Sequence, residues 1–120
     1  MNTTFAVGVR GVEGGMVVAL TGDIDGSASA ALSEAYQRGV EENNPERVLL
    51  DFTATDYINS SGIAAIVSVL AQARAQHRPV LASGLSDHYR EIFEITRLSD
   101  FIELHGDVDE AVTQIRQASR

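Results

Sequence analysis

Apolar and polar residues change period several times along this chain, and each change marks an element. Phe5-Ala6-Val7-Gly8-Val9 alternates large and small side chains and predicts a first strand. Gly11-Val12-Glu13-Gly14-Gly15 supplies turn chemistry, and Met16-Val17-Val18-Ala19-Leu20 reads as the returning strand of a hairpin. Thr21-Gly22-Asp23-Ile24-Asp25-Gly26 follows as a tight, acidic loop. The period then becomes helical, with Ala28, Leu32, Ala35, Tyr36 and Gly39 on one face behind a capping serine at Ser27 or Ser29. Glu41-Glu42-Asn43-Asn44-Pro45 ends that helix, because the residue before a proline is pushed out of the α region.

The second half repeats the alternation. Arg47 to Phe52 predicts a strand, Thr55 to Gly62 a polar loop, and Ser61 to about Gln76 a helix. Ile63, Ile66, Val67 and Leu70 fall at i, i+3, i+4 and i+7 of that helix, the spacing of a buried face. After Arg78-Pro79, Val80-Leu81-Ala82 is short and apolar, as strands covered on both faces are. Ser86 caps a helix carrying Tyr89, Ile92, Phe93 and Thr96, and Phe101-Ile102-Glu103-Leu104 reads as the last strand. Asp107 and Glu110 have capping-box spacing at the start of a final helix that buries Val108, Ala111, Val112 and Ile115. Arg116 and Arg120 lie at its negative end.

The order β-β-α-β-α-β-α-β-α predicts an α/β fold with a mixed, mostly parallel sheet of about five strands. It starts with a β-hairpin and carries about four helices. No repeat, low-complexity tract or linker interrupts it, so one domain is expected over residues 1–120.

Composition narrows the chemistry. With 120 residues, 44% of them hydrophobic, the chain can bury roughly two thirds of its unfolded surface without staples. It has no cysteine, which removes disulfides, thiolate metal sites and cysteine nucleophiles. The net charge is −8 and every basic residue is arginine. An acidic surface opposes binding to nucleic-acid phosphates and suits a partner with a basic face. Met1-Asn2-Thr3-Thr4-Phe5 lacks the marks of a signal peptide, and no apolar run approaches the ~20 residues of a membrane span, so a cytoplasmic protein is expected.

In open α/β sheets functional loops lie at the carboxyl ends of strands. Two such loops, Gly22 to Asp25 and Thr55 to Gly62, are expected side by side. Taken alone, Asn59-Ser60-Ser61-Gly62 is a helix cap worth ~1 kcal/mol, and Asp23 and Asp25 are turn formers. Together they place acid, serine and glycine on one end of the sheet. Asp51 ends a strand as a receiver-domain phosphoacceptor would, but the acidic loop follows the second strand and there is no lysine, so Asp51 is read as orienting the loop. The same absence removes a phosphate-binding loop of the Gly-x-x-x-x-Gly-Lys type. A serine hydrolase needs a base and an orienter, and His77, His88 and His105 have no carboxylate at suggestive spacing. All three are expected to be exposed surface histidines. No metal ligands cluster, and neither enzymatic activity nor a cofactor is expected.

In order and spacing the chain resembles STAS domains, the sulphate-transporter and anti-sigma-factor-antagonist family, and specifically their stand-alone bacterial antagonists. The matching segments are Leu20 to Asp25, Val48 to Phe52, Tyr57 to Ile63, Glu91 to Leu98 and Asp109 to Val112. The resemblance implies that Ser60 is phosphorylated by a serine kinase that doubles as an anti-sigma factor. The unphosphorylated form would bind that kinase and release a sigma factor, and a serine phosphatase would restore it. Gly22, Asp23, Asp25, Asn59, Ser61, Gly62 and Ile63 would form the partner-facing surface. The resemblance also allows a homodimer. Two positions depart from the family pattern: Asn59 stands where aspartate is usual, and Arg97 where glycine is frequent. Other STAS domains serve, without a phosphoserine, as scaffolds in signalling complexes or as small subunits of lipid or anion transport systems.

Overall fold

A computed structural model of the chain describes residues 4–119. Met1, Asn2, Thr3 and Arg120, with the helix-end role expected of Arg120, lie outside the described residues. The strands are β1 (Ala6–Val12), β2 (Gly15–Ile24), β3 (Arg47–Asp51), β4 (Thr55–Ile58), β5 (Val80–Ser83) and β6 (Ile102–His105). The helices are α1 (Ser29–Asn43), α2 (Ser60–Ala75), α3 (Asp87–Ile95) and α4 (Val108–Ala118), with single 3-10 turns at Gly26–Ala28 and Leu98–Asp100.

The main sheet runs β1-β2-β3-β5-β6, with β1 antiparallel to β2 and the remaining neighbours parallel. This is the mixed sheet opened by a hairpin that the alternation predicts. One expectation is corrected. Residues 21–24 continue β2, and Thr55 to Ile58 forms a strand, where both segments read as loops. β2 pairs with β3 through Gly15 to Ala19 and with β4 through Gly22 to Ile24. The chain leaves the edge of β2 after Asp51 and rejoins it at Thr55. Burial of Ile24 and Ile58 draws these polar segments into the sheet.

The pleat sorts the strand residues into two layers. Met16, Val18, Leu20, Val48, Leu50 and Ala82 pack with residues of α1, α2 and α3, while Val17, Leu49 and Leu81 pack with Ala111 and Ile115 of α4. Both faces are covered, which is why the central strands read as continuous apolar runs. Each fully buried aliphatic side chain contributes about 1.5–3 kcal/mol. Tyr36 is buried in the first layer, and its hydroxyl donates to Gln76 Oε1 at 2.8 Å, tying α1 to the end of α2. Burial raises the Tyr36 phenol above its ordinary range, with Arg78 acting in the opposite direction.

The inward face of α2 differs from the predicted one. Gly62, Ala65, Ile66, Val69, Leu70 and Ala73 are buried, whereas Val67 is 41% exposed and Ile63 only half-buried. No charged side chain occurs from Ser60 to Ala73, so polarity could not mark the inward side. Gly62, Ala65 and Ala73 permit close approach there, beside the larger Ile66, Val69 and Leu70. The helix also starts at Ser60 rather than Ser61.

Capping follows the sequence at three of four helices. Asn59, Ser86 and Asp107 accept from the backbone N–H of Gly62, Tyr89 and Glu110 respectively. The exception precedes α1, where Asp25 rather than a serine caps the 3-10 turn that leads into the helix. α1 stops as expected before Pro45, with Asn44 in the left-handed region at φ 41°.

Two substitutions test this account. Arg97 holds φ 68° and ψ 14°, a conformation costing a side chain-bearing residue about 1 kcal/mol. Its exposed ion pair with Asp100, at 2.9 Å, offsets only a few tenths of that. Arg97→Gly should therefore raise stability by about 0.7 kcal/mol in urea denaturation. Gly62 presents the reverse case, since a Cβ there would lie 2.0 Å from the carbonyl oxygen of Ile24. Alanine gains about 1 kcal/mol of helix propensity, but overpacking against backbone costs about 3. Gly62→Ala should lower stability by about 2 kcal/mol in the same measurement.

Candidate functional site

The end of β2, the strand β4 and the first turn of α2 meet at one edge of the molecule. Asn59 holds the junction. Its N–H donates to the Ile24 carbonyl at 3.2 Å, its Oδ1 accepts from the Gly62 N–H at 2.8 Å, and its carbonyl accepts from the Ile63 N–H at 2.9 Å. The two helix donors left over belong to Ser60 and Ser61, the first two helical positions. Both serines are exposed. Their hydroxyls therefore stand beside unsatisfied amides at the positive end of a helix dipole, which is an anion-tolerant place.

The acidic segment forms the opposite bank. Gly22 adopts φ +83°, and the β2–β4 register shifts between Gly22 and Asp23, so that Asp23 pairs with Tyr57. Only a residue without a side chain enters that conformation freely. Gly22 donates to the Ala54 carbonyl at 3.0 Å, and Thr55 Oγ1 donates to the Leu20 carbonyl at 2.9 Å. Asp25 Oδ1 accepts from the Ser27 hydroxyl at 2.5 Å and the Ser27 N–H at 2.8 Å. The Ser27 hydroxyl is the main cause holding the Asp25 carboxyl below the usual carboxylate range, so it is ionised at neutral pH. A Cβ on Gly26 would touch Cβ of Ser61 at 3.3 Å, which shows how closely the two banks approach.

The structure thus brings Asp23, Asp25, Asn59, Ser60 and Ser61 to one edge. Gly22 and Gly62 are buried and shape that edge without adding contact surface. Ile63 is half-buried one turn into α2. Asp51 accepts from the N–H and the hydroxyl of Thr53 at 3.0 and 2.5 Å, so it orients the bend between β3 and β4, the role expected of it.

Beside Ser60 lies a shallow groove of about 450 Å³ that sequence reasoning did not anticipate. Tyr57, Ile63, His88, Tyr89 and Ile92 line it, and Tyr57 is 55% exposed. The Ile58 N–H donates to the Tyr89 hydroxyl at 2.9 Å, which anchors α3 to β4. Its only sequence signal is an exposed tyrosine in the loop-like segment before Asn59.

Among the histidines, His77 and His88 are exposed as expected. His105 is not: its side chain is 10% exposed, with its two ring nitrogens 3.0 Å from Glu103 and 3.2 Å from Glu110. Glu103 lies two residues back on the same face of β6, and the turn into α4 brings up Glu110, five residues on. His105 packs on the α4 side of the sheet, away from the α2 layer, and builds no serine triad at Ser60. Among the described residues no group of histidine and carboxylate side chains could hold a metal ion, and no helix is long and apolar enough to cross a membrane.

Comparison with known proteins agrees with this architecture. A family model described as the STAS domain matches residues 6–111. The anti-sigma-B factor antagonist of Listeria monocytogenes is 34% identical over 88 residues, covering 71% of this chain and 74% of that protein. BtrV of Bordetella bronchiseptica is 33% identical over 82 residues, covering 68% and 71%. An anti-sigma factor antagonist from Mycobacterium paratuberculosis superimposes with a TM-score of 0.79 at 21% identity, covering 94% of this chain and 95% of that one. The Bacillus cell-fate determinant SpoIIAA in its phosphorylated form gives 0.70 at 16% identity, covering 94% and 100%. With its hairpin-led mixed sheet and a family match over most of its length, the chain belongs to the STAS domain family.

Proposed function

We propose that this protein is a non-enzymatic, cytoplasmic anti-sigma factor antagonist, switched by phosphorylation of Ser60. In the unphosphorylated state it binds an anti-sigma factor that is also a serine kinase, and a sigma factor is released. A serine phosphatase resets it. The observation that carries the reading is the position of Ser60: exposed, first in α2, beside free backbone donors, with its neighbour Ser61 close to Gly26 of the acidic segment. The relatives described above as anti-sigma factor antagonists, and a fold neighbour known in a phosphorylated form, support it.

The electrostatics explain how one phosphate could switch binding without unfolding the domain. Phosphorylation adds about −1.5 to −2 charge, which a helix N-terminus accommodates. The cost falls on the interface, where a dianion next to Asp23 and Asp25 is desolvated against a surface that fits a neutral hydroxyl. A difference of ~3 kcal/mol changes affinity about a hundredfold. Asn59 caps α2 as an aspartate would, while lowering the local negative charge by one. That neutral residue also favours a second reading, in which the domain is a scaffold or small subunit that binds without a phosphoserine.

Two experiments separate the readings. Incubation with ATP and each anti-sigma kinase of the source genome should add one phosphate to the wild type and none to Ser60→Ala, read by intact mass. Wild type unmodified by every such kinase would leave the scaffold reading standing. Ser60→Asp should weaken kinase binding while changing stability by less than about 1 kcal/mol, because the charge enters at a helix N-terminus. Unfolding of that variant would mean that Ser60 is structural.

A further inference from the structure

The end of α2 farthest from Ser60 gathers positive charge in a chain that carries −8 overall. Arg74 lies in the last turn of the helix, and His77 and Arg78 follow in the bend before Pro79. Cations at a helix C-terminus ordinarily serve its last carbonyls. Here backbone N–H groups already satisfy them. Gln76 donates to the Gln72 and Ala73 carbonyls, His77 to that of Arg74 and Arg78 to that of Ala73, at 2.9–3.2 Å. Capping therefore does not occupy the two guanidiniums.

Both are nevertheless held in place. The Arg74 guanidinium lies 4.8 Å above the Phe101 ring, a stack that suits its planar group. Arg78 donates to the Pro45 carbonyl, to Gln76 Oε1 at 3.1 Å and to Asn44 Oδ1 at 3.3 Å. That leaves two of its five N–H groups for another acceptor. Among the described residues neither arginine pairs with a carboxylate. The acidic side chains that flank them are matched elsewhere, Glu46 with Arg47 at 3.5 Å and Asp100 with Arg97 at 2.9 Å.

The surface around these fixed charges is concave. One shallow hollow of about 330 Å³ is lined by apolar Leu70, Pro79 and Val80 together with Arg74, Arg78 and Phe101. A second, also about 330 Å³, continues past His77 and Arg78 to Asn44 and Pro45. A small molecule needs most of its surface enclosed, which a shallow strip does not provide. An extended chain lying along the strip does not need it.

We infer that this strip docks an acidic peptide segment of a partner protein. Carboxylates of the segment would meet Arg74 and Arg78, and an apolar side chain between them would rest on Leu70, Pro79 and Val80. A free oxyanion would meet the same guanidiniums but leave the apolar lining bare, so the peptide is the better occupant. The strip is separate from the Ser60 site and does not rest on the antagonist reading. It lies about 21 Å from Ser60 along α2, more than two screening lengths of about 8 Å. The acidic charge at the other end therefore does little to repel the peptide.

The test titrates the full chain with a short peptide of glutamates around one central phenylalanine, followed by NMR of the backbone and arginine Nε–H signals. Saturable shifts are expected at Arg74, His77, Arg78 and Phe101. Arg74→Gln should weaken binding about tenfold or more, and Arg116→Gln on α4 should leave it unchanged. A peptide with glutamine in place of glutamate should bind the wild type at least about tenfold more weakly, which makes the outcome independent of how the variants fold. Equal binding of the glutamine peptide, or shifts that map away from Arg74 and Phe101, would overturn the proposal. Inorganic phosphate that binds the strip as tightly as the peptide would make it a free-ion site and overturn it as well.

Discussion

The candidate site depends on one close contact: the first turn of α2 resting directly on the backbone at the end of β2. A Cβ at Gly62 would lie 2.0 Å from the Ile24 carbonyl oxygen, and the Asn59 N–H donates to that same oxygen. Helix and strand are thus joined through backbone atoms, which lack rotamers to relax. Everything mounted on the junction inherits its rigidity, including the two exposed serines and the acidic bank. A charge added there can change what the surface attracts without changing its shape, which a reversible switch requires.

That junction also explains why β2 is so long. Its first half builds the central sheet with β3, and its second half leaves the sheet's main path to pair with β4. The bend between β3 and β4, held by Asp51 and Thr53, lets one strand serve both purposes. Core and site are therefore parts of the same strand. The buried Ile24 and Ile58 hold the second half down while Asp23 and Tyr57 remain accessible.

Much of this was legible in the sequence where the signal is local. Pro45 ended α1, and Asn59, Ser86 and Asp107 were recognisable as caps because their partners lie three residues away. Ser60 as the modified residue came from the resemblance and remains a proposal. What escaped was non-local. The strand β4 buries little beyond Ile58, so its composition reads as a loop until β2 is beside it. The inward face of α2 escaped because the helix has no charged side to orient it. The groove escaped because α3 supplies half its wall, whereas His105 is a local exception, its partners Glu103 and Glu110 lying only two and five residues away.

The length of α2 bears on what a phosphate at Ser60 can do. Along the helix Ile63 lies about 4.5 Å from Ser60, Val67 about 10 Å and Arg74 about 21 Å. Charges at physiological ionic strength are screened over about 8 Å. A phosphoserine would therefore act on what touches the first turns of α2 and leave the Arg74 end nearly untouched. A partner whose contacts extend along the helix would lose part of its affinity on phosphorylation rather than all of it, and its release would depend on how much of its binding energy is placed at the Ser60 end.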